Sequence, residues 1–426
     1  MKKSAVSSFL SSLKCVESNE LNKNKLFKIY NENSPDELKV KKTYFRSIFN
    51  SKFNLEVKLP RKIVCSTCSD LSDKITTCMD KHLKPTFMAQ KRIHSLKYKE
   101  FYKLLKDENP EILILSFDCQ KKQVLPKVYG QAESNSTQLY FQNFTIVQGP
   151  STTKLKRETV FIYAWTENQF SKNANLIASA LHHRLQNTRF NDNIITLRLI
   201  ADDSAGQNKN AIIIAMLLKW FSQAPSSLKQ IELIFPIVGH SFLPAHRVFA
   251  NAEKRIKKIE NILFPEEYEK VLTEFGSVLK IIDVCSVEKW KDVSKEFLQP
   301  PRRWHFKFST TNKFFLRKTH QGEVVITGEE NYRTHVNQNK YRSICKKDFK
   351  LENIQPELIQ PYSVKINSLK VRYVSNLMEK LFGQHWQNYE NLKFYADFVN
   401  NYQQQIVVAD DTHEEYCSEL SEEAPL

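Results

Sequence analysis

Glu111-Ile-Leu-Ile-Leu-Ser-Phe-Asp118 is an apolar run that stops on an acid, and Asn193-Ile-Ile-Thr-Leu-Arg-Leu-Ile-Ala-Asp202 repeats the pattern further along the chain. Runs this short and this apolar read as strands buried on both faces. Between them, Gln138-Leu-Tyr-Phe-Gln-Asn-Phe-Thr-Ile-Val147 alternates as a hairpin partner does, and Thr159-Val-Phe-Ile-Tyr-Ala-Trp165 supplies a third strand. Residues 173–185 are helical in pattern, 207–221 form an apolar helix, Gln230-Ile-Glu-Leu-Ile-Phe-Pro-Ile-Val238 is another strand, and 243–262 a long helix. Ser241 stands where a cap for that last helix is expected, with Pro244 tolerated in its first turn.

Three strands followed by helix, strand, helix, strand, helix argue for an α/β fold, a mixed sheet with crossovers packed on its faces. The same order is that of the ribonuclease H-like fold. Five regions are expected: a polar N-terminal arm over 1–45, a helical region with a C-x-x-C pair over 46–108, the ribonuclease H-like core over 109–265, an α+β region over 266–405, and an acidic disordered tail over 406–426.

The chain has 426 residues, with 63 Lys and Arg against 47 Asp and Glu, a net charge of +16. Seven acids and no Lys or Arg fall in residues 410–426, so the rest of the chain carries +23. A basic body of that size suggests a polyanionic partner, DNA ahead of a membrane surface, the plainer alternative being a basic surface with no partner. No apolar run is long enough to span a bilayer and the N-terminus lacks an apolar signal region, so an intracellular site and reduced thiols are expected. With only 8 glycines, a Gly-rich phosphate loop is not expected to carry the chemistry.

Asp118 and Asp202 end strands that would be parallel neighbours, so their C-terminal edges can share one crevice. Clustered carboxylates repel unless a divalent cation lies between them, and hard oxygen ligands favour Mg²⁺ or Mn²⁺. A third acid on the last helix, Glu253, would complete a two-ion site. Strand-end Asp also suits turns, and Glu253 also suits a surface pair with Lys257.

Asp118-Cys-Gln-Lys121, Leu125-Pro126-Lys127, Tyr140-Phe-Gln-Asn-Phe144, Trp165-Thr-Glu167, Asp202-Asp-Ser-Ala-Gly-Gln-Asn-Lys-Asn210 and Gly239-His-Ser-Phe-Leu-Pro244, followed by Arg247 and Glu253, occur in a fixed order. Together they resemble a largely uncharacterised transposase-derived family of animal genomes whose core is thought to be ribonuclease H-like and related to DDE-type transposases. With Cys65-x-x-Cys68-Ser69-Asp70 and the segment before it, the resemblance covers roughly 40–395. It implies Asp118, Asp202 and Glu253 as the catalytic acids holding two Mg²⁺ or Mn²⁺ ions, Glu167 as an accessory carboxylate, and DNA hydrolysis and strand transfer in the nucleus, with room for a homo-oligomer. One departure stands at His246, where the family usually has Asp. An imidazole there weakens Mg²⁺ binding, and leaves an active enzyme and a catalytically silent nucleic-acid-binding copy as alternatives.

Gln207, Asn208 and Asn210 open a helix, where they would bind phosphate or cap. His240 belongs either to the site or to a hydrogen-bonded turn. Arg247, and Arg302 and Arg303 in a segment that interleaves cations with Trp304, Phe306 and Phe308, suit a nucleic-acid surface, the alternative being a basic strand pair with aromatics in the core. Cys65, Cys68, Cys78 and His82 would hold a structural Zn²⁺, the alternative being plain thiols.

Overall fold

A computed structural model describes residues 2–12, 23–52, 65–129, 137–203, 208–332, 340–347 and 349–406, so the acidic tail expected from 406 onward lies outside the described residues after Ile406. The chain divides into two compact units, 1–88 and 89–426.

In the first unit, α1 (Lys2–Ser12), α2 (Lys23–Asn33) and α3 (Lys42–Lys52) bury Val6, Leu26, Tyr30, Phe45, Ile48 and Phe49 together. The expected boundary at 45 falls inside α3. Residues 1–45 supply most of that core instead of forming an arm, because each of these short helices can bury its apolar stripe only against the others. Helix α4 (Ser66–Thr77) follows, and α5 (Leu83–Leu105) begins here and runs into the second unit.

The second unit is a mixed α/β fold. Its strands are β1 (Ile112–Cys119), β2 (Gln123–Leu125), β3 (Leu139–Gln148), β4 (Val160–Thr166), β5 (Thr196–Ala201), β6 (Gln230–Ile234), β7 (Ser277–Lys280), β8 (Lys313–Lys318) and β9 (Val324–Glu329). Among the described residues they form one sheet in the order β7-β4-β3-β1-β5-β6-β8-β9, with β2 paired to β3. β3 runs antiparallel to β1 and β4, while β1, β5 and β6 are parallel. This arrangement is compatible with a ribonuclease H-like fold.

Helices cover both faces: α6 (Ala174–Gln186), α7 (Ala211–Gln223), α8 (Pro244–Ile256), α9 (Pro265–Leu272), the single turn α10 (Ile281–Val284), α11 (Trp290–Phe297), α12 (Ser368–Phe382) and α13 (Lys393–Ile406). One face buries Leu115, Phe117, Leu197 and Leu199 under α6, α7 and α11. On the other, Ile114, Ile200 and Ile234 pack with Phe101, Leu104 and Leu105 of α5, while Val160, Ile162 and Ala164 pack with α8, α9, α12 and α13. The period-2 alternation of strands puts Asp118 on the same face as Ile114, and Asp202, one step beyond β5, on the face of Ile200.

Residues 266–405 do not stand apart as a separate α+β region. β7 adds to β4 and β8 to β6, so this stretch extends both edges of the core sheet. The short strand β7 and the two-stranded ribbon β8–β9 are not stable alone and need an existing edge to pair with. Among the described residues no helix is long and apolar enough to cross a membrane.

Candidate active site

Parallel pairing of β1 with β5 sets Phe117 opposite Ala201, so Asp118 and Asp202 follow at the same level on neighbouring strands. Asp118 is anchored on both oxygens: Oδ2 lies 2.9 Å from His246 Nε2, and Oδ1 accepts from Asn208 Nδ2 at 3.2 Å. Asp202 is held by the Ser241 hydroxyl. Burial, and then the nearby Asp118 charge, push the Asp202 carboxyl above its ordinary value, and Ser241 and His246 oppose the shift. Among the described residues no Lys or Arg forms an ion pair with either acid. The neighbouring Asp203 is paired with Lys209 at 3.2 Å.

All the expected site residues except Gln207 fall among the described residues. Asn210 caps α7 by accepting from the Ile213 amide, whereas Asn208, fully buried two residues earlier, turns to Asp118. Gln207 lies outside the described residues. Helix α8 contributes His246, and Glu253 lies two turns further on, about 10 Å along the axis. There Glu253 lines a separate depression with Lys121, Lys122, Lys127 and Lys257. The α8 residue that reaches Asp118 is therefore His246, not Glu253. Glu167 is engaged elsewhere: both its oxygens accept from Lys370 Nζ at 2.7 and 2.8 Å, burial raising its carboxyl while Lys370 opposes.

Ser241 does not cap α8, whose N-cap is Leu243, because its side chain is spent on Asp202. His240 meets His94, its Nε2 3.1 Å from that of His94. Arg247 is exposed and donates to the Thr153 carbonyl at 3.5 Å. Arg302 and Arg303 sit exposed on a single 3-10 turn, while Trp304 is buried, packs on Phe306 and Phe308, and donates its indole N–H to the Gln299 carbonyl. Trp304 belongs to the core with Phe306 and Phe308 partly buried against it, while Arg302, Arg303 and Lys307 face solvent. In the first unit, Cys65 precedes α4 and Cys68 lies in its first turn, but Cys78 closes the other end. Nine residues of helix lie between Cys68 and Cys78 and set them about 15 Å apart, so Cys78 cannot share a zinc ion with the C-x-x-C pair.

The acidic end presents the donor types that a divalent cation takes. It offers two carboxylates and an imidazole, and beside Asp118 the buried Asn208 Oδ1 has no hydrogen-bond partner. With a nitrogen in the set, Mn²⁺ suits better than Mg²⁺, which favours all-oxygen octahedra. His246→Asp is expected to shift preference toward Mg²⁺ on the order of tenfold, the effect of about 1.4 kcal/mol. Competition titrations of the two ions on both proteins check this.

Residues 145–334 match a domain family described as a domain of unknown function, DUF7869. The match begins inside β3, so it includes Asp202 and His246 but not Asp118. No curated protein matches the sequence. Among solved structures, a pre-cleavage Mos1 transpososome aligns at 10% identity over 66% of this chain and 99% of that one, with a TM-score of 0.23. That superposition is too loose to pair individual residues.

Proposed function

We propose that the chain is a transposase-like, metal-dependent DNA phosphodiester hydrolase built on a ribonuclease H-like core. The observation that carries this reading is the pair of carboxylates at the ends of adjacent parallel strands, close enough for the charge of one to raise the pKa of the other. Such a pair is destabilising by itself and becomes favourable around a cation. Asp118, Asp202 and His246 would hold the ion. A bound divalent cation there supplies Lewis-acid activation and neutralises charge developing on the phosphate.

The chain's own residues prepare the site. Asn208 fixes one Asp118 oxygen and leaves the other to His246, so the carboxylate cannot rotate freely. Ser241 does the same for Asp202. The basic body attracts the nucleic acid, and a nuclear location and strand transfer belong to the same proposal.

A second reading, a catalytically silent nucleic-acid-binding protein, is favoured by one observation. Both Asp118 oxygens already have protein partners. Incubating the full chain with supercoiled plasmid and Mn²⁺ separates the two. Nicking that EDTA blocks and Asp118→Asn removes is the expected result; DNA binding with no nicking in Mn²⁺ or Mg²⁺ establishes the silent form.

A further inference from the structure

Two imidazoles converge in the second unit, outside the acidic site. His94 Nε2, from α5, lies 3.1 Å from His240 Nε2, in the turn before α8. The surroundings fix both rings. Tyr98, one helical turn beyond His94, stacks on the His240 ring at 4.2 Å and 14°, and meets the His94 ring edge-on at 6.1 Å. One turn further, the Tyr102 hydroxyl donates to the His240 carbonyl at 3.1 Å.

As a plain hydrogen bond, this contact uses one N–H and one lone pair. The separation also fits two nitrogens on one tetrahedral ion: bonds of 2.0–2.1 Å at the tetrahedral angle put them about 3.3 Å apart. Rings locked by stacking and a helix are the kind of prearranged donors that a structural metal uses.

We propose that His94 and His240 are ligands of a structural Zn²⁺ ion. The ion clamps α5 to the turn Gly239-His240-Ser241, whose Ser241 hydroxyl holds Asp202, so its effect extends to the acidic site without taking part in the chemistry there. Structural zinc takes four ligands, most often thiolate and imidazole.

The test is the metal content of the full chain purified in zinc-containing medium and passed over a weak chelator, read by mass spectrometry. One Zn²⁺ per chain is expected, reduced about tenfold or more in His94→Gln and in His240→Asn. Asp202→Asn retains it, which separates this site from the acidic one whatever that one does. Wild-type protein without stoichiometric zinc overturns the proposal, as does zinc retained by both histidine variants. The wild-type stoichiometry decides even if a variant fails to fold.

Discussion

Glu232→Ala is expected to destabilise the second unit by about 3–5 kcal/mol, the cost of removing one partner from a buried ion network. Glu232 lies on β6, 4% exposed, between Arg198 of β5 and Lys313 of β8, which are 3% and 0% exposed. One carboxylate oxygen is 2.6 Å from Arg198 Nε and the other 3.0 Å from Lys313 Nζ. Arg198 is also held by Asp107 at 2.7 Å and donates to the Leu104 carbonyl at the end of α5, so the network fastens that helix to the sheet. Without Glu232, two cations share a dry space. Burial already pulls Lys313 below its ordinary value with Glu232 opposing, so the lysine can shed its proton, whereas a guanidinium cannot. The triple change Arg198→Met, Glu232→Leu, Lys313→Met removes the three buried charges together, leaves the partly exposed Asp107 to water, and is expected to fall within about 1–2 kcal/mol of wild type. Guanidinium titrations followed by tryptophan fluorescence read both. A cost for Glu232→Ala as large in the triple variant points to lost packing in place of stranded charge.

Asp202→Asn is expected to move stability and metal binding in opposite directions. The folded protein holds the Asp202 carboxyl above its ordinary value, so at neutral pH the ionised group opposes folding. Linkage gives the sign: the native state binds the proton more tightly, so this group's contribution falls as pH rises from the unfolded to the raised folded value. An amide keeps an acceptor for Ser241 and removes the repulsion from Asp118, so the metal-free variant should melt higher than wild type at pH 7. It also removes an anionic ligand, and Mn²⁺ affinity should fall by at least about 100-fold, the upper range for losing even an outer partner of a metal ligand. Stability gained and function lost at one residue is the pattern of a site selected for chemistry.

The strands that build this site were legible because apolar runs of six to eight residues ending on acids leave few other readings. Register did the rest, since parallel β1 and β5 necessarily bring their ends level. The third site residue was harder. A spacing of seven puts His246 and Glu253 on one side of α8, but periodicity carries no information on how far along its axis the crevice reaches, and only the first turn reaches it. Ser241 resembled a helix cap because caps and carboxylate partners draw on the same hydroxyl. The short edge strands β7, β8 and β9 take their conformation from the neighbours they pair with, information that lies far off in sequence. Cys78 and His82 followed the C-x-x-C pair closely in number, yet the helix between them converts sequence proximity into distance.

Asp118, Asp202 and His246 are proposed together to form a divalent-cation site from which Glu253 is excluded. Titration of Mn²⁺ into the full chain, with free ion counted by electron paramagnetic resonance, tests it directly. Wild type and Glu253→Gln should bind with the same affinity, and Asp118→Asn and Asp202→Asn should each lose it by at least about 100-fold. Binding that survives both aspartate substitutions, or that disappears with Glu253→Gln, would contradict the account.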